Sequence, residues 1–184
     1  MGERGFTALE RAQLEAGELV QRPAERRQGS LELLGGSSWQ VIDAAPETVW
    51  QALLDTPHYP RMMPQVLEAR LVRDDTTKRT VFMRQGASGF MEKHYYLDVR
   101  IDEARRDITF SIDQQRPHDL RAAYGFYTVR PYKGRRTLLA YGVMADIGDG
   151  LLVGLVRDEV HEWMLKTPWM IKQFVEHTGR HIYK

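Results

Sequence analysis

The chain lacks cysteine altogether, which removes disulfides, thiolate nucleophiles and cysteine-ligated zinc in one step. It also lacks an excess of either charge. Lys and Arg total 26 against 25 Asp and Glu, leaving a net charge of +1, whereas a nucleic-acid surface or an acidic tail needs a marked imbalance. No nucleic-acid partner is expected. No apolar run approaches the roughly 20 residues that cross a bilayer, and the opening MGERGFTALERAQ has no apolar signal core. The expectations are no membrane span and a cytoplasmic location.

Reactive side chains in useful spacing are scarce as well. The sequence shows no Gly-rich phosphate loop, nucleophile elbow or Ser-His-Asp spacing. His177 and His181 stand four apart, as zinc-binding imidazoles on one helix face do, but no metalloprotease-type glutamate lies between them and Gly179 weakens a helix there. A surface pair is expected. Asp158, Glu159, His161 and Glu162 form a charged run in which Asp158 and Glu162 share a solvated helix face. Glu92 and His94 sit on one strand face that parity turns outward. No catalytic residue, metal or cofactor is therefore expected.

What the chain does have is periodicity, and 184 residues suit one well-buried domain with an extension. Thr7 and Glu10 have capping-box spacing, so a helix is predicted from Ala8 to Ala16, stopped by Gly17. Gln21 to Gly29 is polar, with Pro23 and three arginines, and reads as a linker or an exposed strand edge. Residues 1–27 are thus an N-terminal helical extension packing on a domain of residues 28–184; a lid or a dimer arm is its functional alternative. From Ser30 the period becomes two. One strand runs from Leu31 to Val41, with a bulge or bend at Gly35-Gly36. Pro46 and Glu47 open a short helix whose Val49, Trp50, Leu53 and Leu54 share a face, and Tyr59 to Pro64 allows a tight turn or one helical turn. Val66 to Val72, Arg79 to Gln85, Phe90 to Ile101, Ile108 to Asp113, Tyr124 to Arg130 and Leu138 to Ala145 read as six further strands, with antiparallel neighbours. Leu152 to His177 then carries a helical apolar stripe. Pro168 interrupts it, removing the bond to the Met164 carbonyl and kinking the helix near Thr167.

Parity assigns the walls. Neighbouring side chains on a strand point to opposite faces, so Tyr95, Leu97, Val99 and Ile101 face the helix while His94, Tyr96, Asp98 and Arg100 face water. The same rule selects Val81, Met83 and Gln85, then Phe110 and Ile112, then Gly125, Tyr127 and Val129, then Leu139, Tyr141 and Val143. Val156, Val160, Trp163, Met164, Thr167 and Ile171 add the helix side. Candidate ligand-binding residues are Val81, Met83, Gln85, Tyr95, Leu97, Phe110, Ile112, Tyr127, Val129, Leu139, Tyr141, Val156, Val160, Trp163, Met164, Thr167 and Ile171, many of them also plain core contacts.

Asp43, Ala45 and Pro46, then Val49 and Trp50, then Tyr59, Pro60 and Pro64 together resemble the opening of the START-related helix-grip superfamily, in its polyketide cyclase/dehydrase and coenzyme Q-binding-like branch. The resemblance extends over roughly residues 28 to 183. It implies an α+β helix-grip fold: a curved antiparallel sheet of about seven strands wrapped around a long C-terminal helix, with two short helices after the first strand and a hollow between sheet and helix. It implies binding or transport of a hydrophobic small molecule, whether lipid, isoprenoid, quinone or polyketide-like, by a monomer or weak homodimer. The alternative is a polyketide aromatase/cyclase or dehydratase in the same hollow, with Tyr95, Tyr127 and Tyr141 as its polar aids. A third class is an interaction module resembling the superfamily's ribosome-association toxins, which the balanced charge does not favour.

Overall fold

β-branched and aromatic residues alternate with polar ones through the middle of the chain, and the resulting strands join in one sheet. The computed structural model describes residues 5–87, 90–148 and 151–183, with backbone alone at 87, 90, 91 and 151–157. Among the described residues there are eight strands: β1 (Val20–Gln28), β2 (Leu31–Ile42), β3 (Val66–Asp75), β4 (Lys78–Ala87), β5 (Phe90–Asp102), β6 (Asp107–Ile112), β7 (Ala122–Tyr132) and β8 (Arg136–Asp146). Their order is β1-β2-β8-β7-β6-β5-β4-β3, and each neighbouring pair is antiparallel.

The strand beyond the expected seven is β1. It comes from the segment read as a linker or an exposed edge, and the edge is what forms. Its polar composition suits a position with one hydrogen-bonded neighbour and mostly exposed side chains. The boundary expected between residues 27 and 28 falls inside this strand. Of the bulge or bend expected at Gly35 and Gly36, the bulge does not form, because the register runs unbroken through them on both sides. They permit close approach instead: at φ +155, a Cβ on Gly35 would sit 1.9 Å from the Val143 carbonyl oxygen.

Helix α1 (Ala8–Glu15) starts with the capping box of Thr7 and Glu10. It covers one face of the sheet, where Phe6, Leu14, Val20, Trp39, Val41, Tyr132, Leu138 and Ala140 form a compact cluster. The remaining helices belong to the opposite, inner face. Pro46 opens α2 (Pro46–Leu54), whose Val49, Trp50, Ala52 and Leu53 are buried. A 3-10 turn at Thr56–His58 leads into α3 (Tyr59–Met62).

The terminal stripe is interrupted where the kink near Thr167 is expected, and the interruption is a full break into two helices, α4 (Leu151–Leu165) and α5 (Thr167–Phe174), followed by a π-helical turn at Val175–Gly179 and the short α6 (Arg180–Ile182). Pro168 is the cause. It cannot donate to the Met164 carbonyl, and the Thr167 hydroxyl donates to that oxygen instead at 3.0 Å, so Pro168 becomes a first-turn proline of a new helix. No helix among the described residues is long and apolar enough to cross a membrane.

Candidate ligand-binding cavity

Between the inner face of the sheet and helices α3 to α5 lies a cavity of about 240 Å³, just below the roughly 300–1,000 Å³ of ordinary small-molecule pockets. Strand parity puts Val81, Met83 and Gln85 of β4, Tyr95 and Leu97 of β5, Phe110 of β6, Tyr127 of β7 and Tyr141 of β8 on its wall. Val160, Trp163, Met164 and Thr167 close it from the helix side.

Four of the candidates share the right face but not the hollow. Ile112, Val129, Leu139 and Ile171 are buried in solid core, because parity fixes a face and not where along it the helix stands off. Val156 lies among the residues whose side chains are outside the description. The wall also includes residues that were not among the candidates: Tyr59, Met63, Pro64, Gln65 and Val66 from α3 and the turn into β3, together with Gly86, Lys93, Val99, Ile108, Leu120, Ala123, Val143, Ala145 and Ile147. Val99 and Val143 have the inward parity already noted. Lys93 has it too, two residues before Tyr95. The turn residues carry no period that could have placed them.

The polar chemistry of the wall is mostly phenolic. Tyr127 and Tyr141 stack with centroids 4.8 Å apart, and Phe110 lies 5.7 Å from the ring of Tyr127. Gly125 makes room for the Phe110 ring, since a Cβ there would fall 2.4 Å from Phe110 Cζ. The Tyr141 phenol has Thr167 and Tyr127 beside it, and both counter part of the upward push that burial exerts on it. The Tyr95 hydroxyl donates to Gln85 Oε1 at 2.5 Å, while Gln85 Nε2 donates to the Pro64 carbonyl at 2.9 Å. Tyr59 donates to the Leu53 carbonyl at 2.7 Å. Burial pushes the phenols of Tyr95, Tyr127 and Tyr141 well above the ordinary 10, and that of Tyr59 up to about 12. At neutral pH they are hydrogen-bonding groups far from the range that suits proton transfer.

Carboxylates and imidazoles stand elsewhere. Among the described residues the cavity wall has none: Glu92 pairs with Arg84 at 3.2 Å, exposed His94 pairs with Asp119, and the ring of His161 meets the Gly35 carbonyl at 2.5 Å. His177 is on the surface, its ring 2.9 Å from the Gln173 carbonyl, and the described residues contain no cluster of His, Asp and Glu placed to hold a metal ion.

Residues 37–177 match the family described as polyketide cyclase / dehydrase and lipid transport. The chain belongs to this family. As a polyketide cyclase/dehydrase family member it falls in the START-related helix-grip superfamily, and its α+β architecture is the helix-grip fold. No curated protein matches it by sequence. Solved structures similar to it include one from Thermus thermophilus, with a TM-score of 0.67, 16% identity and coverage of 80% of this chain and 98% of the other. A STAR-related lipid transfer protein from Xanthomonas axonopodis matches with a TM-score of 0.64 and 15% identity, covering 85% and 99% of the two chains. An aromatase/cyclase from a Streptomyces species matches with a TM-score of 0.60 and 15% identity, covering 79% and 97%. At these identities the likeness is one of fold. The wall of this chain consists of aliphatic, aromatic and amide side chains, Thr167 and a single lysine among the described residues.

Proposed function

We propose that this protein binds a hydrophobic small molecule, of the lipid, isoprenoid, quinone or polyketide-like kind, in the cavity between its sheet and its terminal helices, and holds it without changing it covalently. The observation that carries this reading is the wall itself: aliphatic and aromatic side chains, with the phenols of Tyr95 and Tyr59 already donating to Gln85 and the Leu53 carbonyl. Such a wall binds through apolar area and orients through a few polar tips. Family membership supports a hydrophobic ligand in general terms.

The second reading is an aromatase/cyclase or dehydratase, favoured by the convergence of Tyr95, Tyr127 and Tyr141 on one space. Against it stands their protonation, since a phenol raised far above 10 by burial is poorly matched to moving protons near neutral pH. The test is a fluorescence-displacement screen of fatty acids, quinones and aromatic polyketides against the purified protein, with mass spectrometry of every hit after incubation. Saturable binding with unchanged ligand is the expected result. Turnover above the protein-free control, lost in Tyr95→Phe, Tyr127→Phe or Tyr141→Phe, would establish the enzyme instead.

A further inference from the structure

Among the described residues that line the cavity, Lys93 alone carries a formal charge. Its position is set by the sheet. Val66 pairs with Gln85 and Gln85 with Lys93, so the three form a row across β3, β4 and β5 on the inner face, about 5 Å apart from strand to strand. Gln85 is engaged on both sides, accepting from Tyr95 and donating to the Pro64 carbonyl. The one O–H of Tyr95 is already donated in a hydrogen bond to Gln85. The ammonium of Lys93 is therefore the charged donor that this row offers to a ligand.

The carboxylates around it are engaged with other groups. Asp119 feels the charge of Lys93, but its oxygen accepts from the His94 backbone N–H at 2.7 Å and meets the His94 ring at 3.2 Å. Glu92, on the opposite face of β5, is paired with Arg84. Among the described residues no carboxylate is ion-paired with Lys93. A half-buried cation with an apolar hollow on one side keeps its charge solvated at the rim. A ligand anion there replaces water in a poorly polarisable setting where charge pairs are stronger.

We propose that the ligand is an amphipathic monoacid, its ring or chain against Val81, Met83 and Val143 and its carboxylate on the Lys93 ammonium. One lysine matches one negative charge, which favours a carboxylate over a phosphate monoester. The proposal rests on the reading of the cavity as a hydrophobic-ligand site, and matched probes keep the two separable. Titration calorimetry on the full chain with 2-naphthoic acid against 2-naphthamide, and with dodecanoic acid against 1-dodecanol and dodecyl phosphate, gives the preference directly. The wild type is expected to bind each acid about tenfold or more tightly than its neutral partner, as a charge-assisted bond implies. Lys93→Met should abolish that preference while leaving the neutral probes bound, and Lys93→Arg should retain it. Melting curves check that both variants are folded. Equal affinity for acid and neutral probe, a preference that survives Lys93→Met, or tighter binding of the phosphate would each overturn the carboxylate assignment while leaving the cavity reading intact. Failure of every probe to bind would overturn both.

Discussion

β2 and β8 present their alternate side chains to two different interiors. Outward, Trp39, Val41, Leu138 and Ala140 are closed over by the N-terminal segment. Phe6 meets Trp39 edge-on at 5.3 Å, and the Arg22 guanidinium lies 5.1 Å over Trp39 and 5.7 Å over Phe6. That guanidinium is tied to Glu10 through two bonds of 2.8 Å. Inward, Tyr141, Val143 and Ala145 of β8 face the cavity of about 240 Å³. The outer interior is small and filled; the inner one is large and partly empty. An unfilled space forfeits dispersion contacts along its whole lining, so the inner face stands at a cost that the filled core around Ile42, Leu139 and Ile171 offsets. Unequal filling on one sheet leaves the inner face as the one with room for something other than its own side chains, in keeping with the proposed ligand site.

The sharpest way to break this contrast is to delete a tryptophan from each side. Trp39→Ala on the filled face should cost about 3–5 kcal/mol, the usual loss for a large buried aromatic, and it also strips the platform under Arg22. Trp163→Ala on the cavity wall widens a space that is already empty and should cost clearly less. Urea unfolding of the two variants measures both. Equal losses would mean that the two interiors are packed alike.

Addition tests the same contrast from the other direction. Ala140→Leu forces new methyl groups into the closed outer cluster and should destabilise by about 1–3 kcal/mol. Ala123→Leu points the same bulk into the hollow, where the space exists, and should leave the melting temperature unchanged or raise it while lowering the affinity for large probes. A matching loss in both would show that the hollow is not available to a side chain.

How far the sequence reveals these two interiors follows from which residues carry a period. Strand parity is a two-residue rule with no adjustable part, and once the apolar set of each strand is taken as the inner one it puts Tyr95, Tyr127 and Tyr141 on one face. Pro46 and Pro168 each announce a helix start or break by removing an N–H. What stays hidden has no such signature. The turn from Met63 to Val66 is aperiodic, the polar β1 segment reads equally as a linker or an exposed edge away from its partner, and an eye for apolar walls discards Lys93 whatever its parity. Ile112, Val129, Leu139 and Ile171 fail in the opposite way: their face is right, but the depth at which a helix parts from a sheet is set by side chains far away in sequence.

Between binding and catalysis the expected effect is smaller. Tyr127→Phe keeps the ring stacked on Tyr141 and removes one hydroxyl, so affinity for a bound probe should change by about 0.5–1.5 kcal/mol, the net worth of one ordinary hydrogen bond. Calorimetry on the strongest hit measures it. If the hollow is catalytic and this phenol takes part, turnover should fall roughly a hundredfold with binding nearly intact, and that pattern would sink the binding reading.

The mildest test uses pH, because the two interiors respond to opposite ends of the scale. Glu10 is held at about 2, below its ordinary 4.5, first by the hydrogen bond from Arg22 and then by the Thr7 backbone N–H. Glu15 is also lowered to about 2, by Lys133 first and then Tyr132, where α1 meets the β7–β8 hairpin. A depressed carboxyl means that the unfolded chain takes up protons first, so these contributions are complete above about 4.5 and fade as pH falls toward about 2. The inner phenols work the other way. Their folded values are raised above 10 by burial, so what they contribute is complete below 10 and is lost as rising pH ionises the unfolded chain first. These outer carboxylates sit where solvent and salt screen them, which makes this the smallest effect of the set. Melting curves of wild type and Glu10→Gln should differ most above pH 4.5 and converge toward pH 2, with the gap narrowing in added salt. A gap that stays constant over that range would detach Glu10 from the clamp on the outer face and leave the cluster around Trp39 held by packing alone.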